Sequence, residues 1–144
     1  MIRYAYSLFC DDIRHEVNGK VSFMGTFAGA LFLPGVPAVL PKLCCVISVH
    51  ADLENPMKSL KVTGTFVGQT IFAIDMGEEE LQGLYASAPQ VEDRKGFMAQ
   101  FMMLLSPFNI ESFGKLEVEI LADGERLECA GLQVGQAPDG MTLV

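Results

Sequence analysis

Residues 115–134, KLEVEILADGERLECAGLQV, decide the fold class of this chain. Apolar and charged side chains alternate from Lys115 to Ala122, which is the period of a β-strand with one buried face. Asp123-Gly124 then supplies the residue pair that a tight type I′ turn requires, because both central positions of that turn have positive φ. The chain returns through an apolar run that ends at Val134. Together these features predict an antiparallel hairpin.

A two-residue loop also fixes the register of this hairpin, since it decides which residues lie opposite each other. It places Ile120 opposite Leu127 and Val118 opposite Cys129. We expect all four side chains to face the core and the intervening charged residues to face solvent.

Outside the hairpin, turn formers at short intervals separate runs that are apolar or rich in β-branched residues, as in all-β proteins. We predict strands at residues 2–10, 20–33, 43–51, 60–67, 70–75 and 97–105. Residues 97–105 also fit a helix, because they include good helix formers and no β-branched residue. The proline-containing run 34–41 is predicted to be an unpaired loop, and residues 76–96 a long connection with a short helical turn.

The strand pattern predicts a mostly β protein: an antiparallel two-layer β-sandwich, immunoglobulin-like or related, with about seven to nine strands. The 144 residues and the 50% hydrophobic content fit one domain that needs no metal or disulfide to fold. We place that single domain at residues 1–135. Residues 136–144, which include Pro138 and Gly140, are expected to be a short, flexible C-terminal tail.

The net charge of −8 limits the partners of this protein. An acidic chain is repelled by DNA, RNA and anionic membrane surfaces, so we expect no nucleic acid and no membrane partner. No apolar run approaches the roughly 20 residues of a membrane-spanning helix, and the start of the chain lacks a signal-peptide pattern. We therefore predict a cytoplasmic protein whose four cysteines are reduced. No cofactor is expected, because phosphate-binding glycine spacing and C-x-x-C pairs are both absent.

The densest set of reactive side chains lies in residues 10–16, CDDIRHE. Asp11, Asp12, His15 and Glu16 are residue types that bind a divalent metal or perform acid–base chemistry. The alternative is a strand that ends in a polar turn, where aspartates accept hydrogen bonds from nearby backbone N–H groups. No catalytic motif accompanies this cluster, so we assign no catalytic residue.

The better candidate for an interaction site is the apolar loop at residues 35–40, with Val36, Val39 and Leu40 as its contact residues. Loops normally run over the surface, and an exposed apolar stretch often marks an interface. The alternative is that this loop folds back over the end of the core. The methionines within residues 98–103 likewise fit either a core strand or an adaptable partner-binding surface.

Residues at both ends of the chain carry a family resemblance. They are Cys10-Asp11, Glu16, Gly19-Lys20, Phe23 and Gly25-Thr26-Phe27 near the start, and Pro107-Phe108, Phe113-Gly114 and Asp123-Gly124 near the end. The pattern resembles a family of small bacterial and bacteriophage proteins of unknown function, over most of residues 5–135. This resemblance implies a β-sandwich and a bacterial or phage origin, and it implies no activity and no active-site residue.

Three functions are open at this point. The leading hypothesis is a non-catalytic protein-interaction module that binds a protein partner or itself, through the 35–40 loop or an exposed sheet edge. An alternative is a structural or assembly subunit of a phage particle, which predicts a symmetric homo-oligomer. The third is a metal-dependent enzyme that uses Asp11, Asp12, His15 and Glu16.

Overall fold

Strands dominate the computed structural model, which describes residues 2–88 and 92–141 of the chain. The strands of these described residues are β1 (Tyr4–His15), β2 (Val21–Thr26), β3 (Ala30–Leu33), β4 (Ala38–Leu40), β5 (Leu43–Asp52), β6 (Leu60–Phe66), β7 (Gln69–Met76), β8 (Gly96–Leu105), β9 (Phe108–Ile110), β10 (Gly114–Ala122), β11 (Glu125–Leu127) and β12 (Leu132–Gln136). The helical segments are a short 3₁₀ turn at Val17–Gly19 and α1 (Glu78–Ser87).

The first sheet has the strand order β2-β1-β5-β8, and every neighbouring pair is antiparallel. Its central strand β5 is rich in β-branched and small apolar residues, which suit a strand that is covered on both faces. Residues 43–49 of β5 are all buried. β8 pairs with β5 along its whole length and forms one edge of this sheet.

The second sheet has the order β3-β12-β10-β6-β7, and β11 lies beside β10. Its pairs are antiparallel except for β12 with β3, which is parallel. A third, two-stranded sheet pairs β4 with β9. The prediction of a mostly β protein is therefore confirmed, but the second sheet is mixed rather than purely antiparallel.

The buried core contains residues of both larger sheets in one continuous cluster. Ile47 of β5 and Leu116 of β10 are fully buried members of that cluster. Full burial of such a side chain contributes about 1.5–3 kcal/mol. Helix α1 adds the fully buried Leu81. It is also fixed by Tyr85, whose hydroxyl accepts a hydrogen bond from the Met57 backbone N–H at 2.8 Å.

The 115–134 hairpin forms with the predicted turn, and Ile120 lies opposite Leu127 as expected. The pairing predicted for Val118 and Cys129 is wrong, because β11 ends at Leu127. The ladder resumes with Leu132 opposite Leu116. Leu116 is four positions before Ile120, but Leu132 is five positions after Leu127, so one extra residue interrupts the ladder as in a β-bulge.

The strand predicted to end at Cys10 in fact continues to His15. Its pairing with β2 continues past Asp11 because Gly25 has no Cβ, and the Asp11 carboxylate occupies the space that a Cβ would fill. The single strand predicted for residues 20–33 is also wrong. It divides into β2 and β3, which belong to different sheets, and both Gly25 and Gly29 have positive φ.

The remaining boundaries follow the predictions more closely. The ambiguous residues 97–105 form a strand, as preferred, because they complete the first sheet beside β5. The connection at 76–96 contains the ten-residue helix α1. The run 34–41 is not an unpaired loop throughout, since Ala38–Leu40 pairs with β9.

Candidate functional site

The outer face of the first sheet is organised in rows that cross β1, β5 and β8. Residues that lie opposite each other in a ladder point to the same side of a sheet. The rows are Tyr4–His50–Met98, Tyr6–Ser48–Gln100, Leu8–Val46–Met102 and Cys10–Cys44–Leu104. We call the surface made of these twelve residues the Tyr–Met face. The alternate residues of β5, such as Ile47, belong to the core cluster on the other side.

The middle of the Tyr–Met face is buried and its borders are exposed. Cys44, Val46 and Ser48 of the central strand are at most 2% exposed. Ser48 is the buried polar residue here, and it accepts a hydrogen bond from the Gln100 amide at 3.3 Å. The exposed large apolar side chains on either side are Tyr4, Tyr6, Met98, Met102 and Leu104, with exposures from 39% to 60%.

One end of this face is an aromatic stack around His50. The imidazole lies 4.4 Å from the Tyr4 ring and nearly parallel to it, with an angle of 8° between the planes. Tyr6 packs on the same imidazole at 5.5 Å. The Nε2 atom of His50 is buried and has no hydrogen-bond partner among the described residues. Burial lowers the pKa of His50, so the stack holds a neutral imidazole at neutral pH.

The opposite end of the face contains two thiols and is bordered by one ion pair. The Lys42 ammonium lies 2.6 Å from the Asp12 carboxylate, and this hydrogen bond holds the pKa of Asp12 below its usual range. Next to this pair, Cys10 and Cys44 are cross-strand partners and are fully buried. The two charges of this ion pair, which border this end of the face, therefore neutralise each other.

The structure separates the residues of the predicted metal cluster. Asp11 and Asp12 are adjacent in β1, so their side chains point to opposite faces of the sheet. Asp12 pairs with Lys42, whereas the carboxylate of Asp11 lies against Gly25.

The other two members of the cluster, His15 and Glu16, have different surroundings. His15 is the exposed last residue of β1. Glu16 forms an ion pair with Arg14, with 2.7 Å between the Glu16 oxygen and the Arg14 Nε. In the part of the chain that the structure describes, no three His, Cys, Asp or Glu side chains form a group that could hold a metal ion. The metal hypothesis thus finds no support in this geometry, and it stays a prediction.

Of the three residues predicted to form the interaction loop, one is exposed. Val39 is 61% exposed in β4, opposite Asn109. Val36 and Leu40 are partly buried and pack against the core cluster. The pairing of β4 with β9 places Leu40 opposite Phe108 and turns it inward, and Val36 packs against the core from the segment before β4. The role of this loop in binding stays a prediction.

The outer face of the second sheet has the opposite character. An open depression there is lined mainly by polar and charged side chains: Thr63, Thr65, Lys115, Glu117, Glu119, Arg126 and Glu128. Such alternation is typical of a sheet with one solvated face. The apolar Tyr–Met face is therefore the unusual surface of this protein.

The sequence analysis did not identify the Tyr–Met face. β1 is apolar at most positions, which indicates a strand covered on both sides, and the methionines of β8 fit a core strand equally well. One sequence feature did point to this face: in β8, Phe97, Ala99 and Phe101 alternate with Met98 and Gln100. It shows which residues share a face, but not that this face is left open.

No helix of residues 2–88 and 92–141 has the length and apolar character needed to cross a membrane.

The comparisons with known proteins give a family and no individual relatives. The chain matches no curated protein and no solved structure. A family model described as a family of unknown function, DUF6941, matches residues 5–135. That range is nearly the whole chain and agrees with the range of the resemblance seen in the sequence, so this chain belongs to the DUF6941 family of unknown function.

Proposed function

We propose that this protein is a non-catalytic interaction module that associates with a second copy of itself through the Tyr–Met face. One observation carries the proposal: twelve neighbouring positions on a sheet face contain no charged residue, and five large apolar side chains among them are exposed. Exposed apolar patches of this kind mark interaction sites.

The size of the face agrees with this role. Each of the five side chains, at 39–60% exposure, offers on the order of 100 Å². The face thus presents about 500 Å², which is near the upper end for the largest patch on a typical monomer. A standard interface buries about 800 Å² on each partner. The face together with a polar rim is therefore large enough to form such an interface.

The charge distribution favours a second copy over a partner recognised by charge. The chain has a net charge of −8, and two such copies repel each other through most of their surfaces. The Tyr–Met face is uncharged, and the bordering Asp12 is paired with Lys42. Two copies can therefore meet there without opposing like charges. A two-fold axis would make the interface self-complementary, as in most homodimers.

The proposal also includes the type of fold, the domain bounds, the origin and the location of the protein. The two larger sheets around one core support an immunoglobulin-like or related sandwich with residues 1–135 as one domain. The tail proposed for residues 136–144 rests on the sequence alone, and its first residue, Gln136, is the last residue of β12. A bacterial or phage origin and a cytoplasmic location rest on the sequence alone. A structural subunit of a particle would use the same kind of face, but it requires an assembly larger than a dimer.

The experiment is sedimentation velocity of the wild-type chain from about 1 μM to 1 mM, the range of weak to moderate association. Two variants place a charge on the face: Met98→Asp at one end and Leu104→Asp at the other. Val39→Asp is the matched control. Val39 is an exposed apolar residue like Met98 and Leu104, but it lies in a different sheet, so a charge there should leave the Tyr–Met face unchanged. We expect a wild-type dimer, a Val39→Asp dimer, and monomers for both face variants.

Two results would contradict the proposal. A wild-type chain that stays monomeric at every concentration removes self-association. A dimer that Val39→Asp dissociates and that Leu104→Asp leaves intact assigns the interface to the 35–40 loop. Val36 and Leu40 are unsuitable for this test because they pack against the core, so a charge there would unfold the protein.

A further inference from the structure

Two cysteines of this protein lie opposite each other in neighbouring strands, and the proposed interaction does not require this arrangement. All four are free thiols. Cys10 of β1 lies directly opposite Cys44 of β5 in the ladder, so both side chains point to the Tyr–Met face. The neighbouring Cys45 lies opposite Phe9 and belongs to the core cluster on the other side. The sheet therefore brings together Cys10 and Cys44 and separates Cys10 from Cys45.

The separation of Cys10 and Cys44 fits a covalent bond. Opposed residues of an antiparallel ladder have Cα atoms about 4.5–5.5 Å apart. A disulfide requires Cα atoms about 4.4–6.8 Å apart, so the ladder spacing lies within the range. The two thiols also interact directly with each other. Little backbone movement is needed to join them.

We propose that Cys10 and Cys44 are a redox-active pair that is oxidised to a cross-strand disulfide between β1 and β5. The oxidant is a disulfide compound of the glutathione class. The thiolate of one cysteine attacks the oxidant, forms a mixed disulfide and releases one reduced thiol. The second cysteine then attacks the mixed disulfide and releases the other. Two protein thiols lose two electrons and two protons, and one small disulfide is reduced to two thiols.

The surroundings of the pair determine how fast this oxidation is. Burial, with the neighbouring Cys44 thiol adding to it, raises the pKa of Cys10 to about 11. Burial also raises the pKa of Cys44. Few thiolates are present at neutral pH, so oxidation of the folded protein is slow and becomes faster as the pH rises. β2 is an edge strand beside Cys10, and its local opening gives the oxidant access.

Cys45 and Cys129 are the competing pair. Burial raises the pKa of both thiols, and the nearby Cys129 adds to the rise for Cys45. Cys129 lies outside the strands, and the backbone carbonyl of Val118 accepts a hydrogen bond from its thiol at 3.7 Å. Ladder pairing does not hold Cys45 and Cys129 opposite each other, so we do not expect them to form the bond.

The experiment oxidises the full chain with glutathione disulfide in two ways, as folded protein over a range of pH and during refolding from urea. During refolding the thiols are accessible to the oxidant before they become buried. We expect the free thiols to fall from four to two. A crosslinked peptide pair should contain Cys10 and Cys44, with fragmentation assigning the bond to Cys44 rather than to Cys45. The melting temperature should rise by about 5–10 °C on oxidation and return on reduction.

Cys44→Ser is expected to abolish the crosslink, and the matched control Cys129→Ser to retain it. Absence of the crosslink in both the folded and the refolded samples would overturn the proposal. So would a bond assigned to Cys45, or a crosslink that survives in Cys44→Ser. The test is independent of self-association, because a monomer with this disulfide supports the redox pair even where the proposed interface fails.

Discussion

The Arg3 guanidinium lies 2.8 Å from the Asp123 carboxylate, and this ion pair joins the start of the first sheet to the turn of the 115–134 hairpin. Asp123 also accepts hydrogen bonds from the backbone N–H groups of Lys58 and Ser59, at 2.8 and 2.9 Å. Arg3 in turn donates to the carbonyl of Asn55. One carboxylate therefore holds three segments that are far apart in the sequence, which is a larger role than its turn propensity alone predicts.

Asp123→Ala should lower the free energy of unfolding by roughly 2–4 kcal/mol. It removes the ion pair and two backbone hydrogen bonds, and it leaves the largely buried Arg3 without its counter-ion. Urea unfolding measures the change. Glu125→Ala is the control, because Glu125 is exposed in the same hairpin. Equal effects of the two substitutions would show that the contacts of Asp123 add no stability.

The same carboxylate should make stability depend on pH. Burial acts to raise the pKa of Asp123, but the N–H groups of Lys58 and Ser59 and the Arg3 guanidinium outweigh it, so the pKa is lowered. The resulting stability is complete above the unfolded value of about 3.9 and is lost as the pH falls through the folded pKa. Thermal melts from pH 7 down to pH 2 should show a decline in this window. Asp123→Asn should show a smaller decline, and an identical decline would contradict the assignment.

Gly25→Ala tests the close approach of β1 and β2. Gly25 has a φ of 67°, and the Asp11 carboxylate occupies the space that a Cβ would fill. The substitution is expected to destabilise the protein by about 1–3 kcal/mol. Gly35→Ala is the matched control, since no other atom lies within 4 Å of a Cβ built there. It should change stability by less than about 0.5 kcal/mol, as measured by urea unfolding.

His50→Phe tests the aromatic stack of the Tyr–Met face. Burial lowers the pKa of His50 in the folded protein, so the unfolded chain binds protons more readily. Stability from this group is complete above the unfolded pKa of about 6.5 and declines as the pH falls from there through the folded pKa. Phenylalanine keeps the stacking on Tyr4 and removes the buried, unpaired Nε2. The variant should therefore be at least as stable at pH 7 and lose the decline that begins as the pH falls below about 6.5. Thermal melts measure both effects, and an unchanged decline would assign it to another group.

The fold was predictable where its cause is local. Alternation from Lys115 to Ala122 and the Asp123-Gly124 turn depend on neighbouring residues, and the hairpin formed with the expected register at Ile120. The long strand predicted for residues 20–33 failed because its division depends on distant partners: β2 pairs with β1, and β3 pairs with β12. Periodicity contains no information about which distant strand becomes the neighbour.

The candidate site was less predictable for the same reason. Sequence shows that Met98 and Met102 share a side, but whether that side is covered depends on the order of strands in the sheet. The inward position of Leu40 likewise depends on its pairing with Phe108, which is far away in the chain. Of the three residues predicted from sequence to form the interaction loop, Val39 is the one that the fold leaves exposed.

The position of β12 has a consequence for the synthesis of this protein. β12 lies between β3 and β10, so its residues join a strand made early to one made late. Until Leu132–Gln136 has left the ribosome, β3 has no neighbour in the second sheet and the edge of β10 is open. The second sheet can therefore be completed only after β12 has been made. A stop codon just before Leu132 would remove the strand that unites this sheet, and such a product is expected to be a substrate for proteolysis rather than a shortened, working protein.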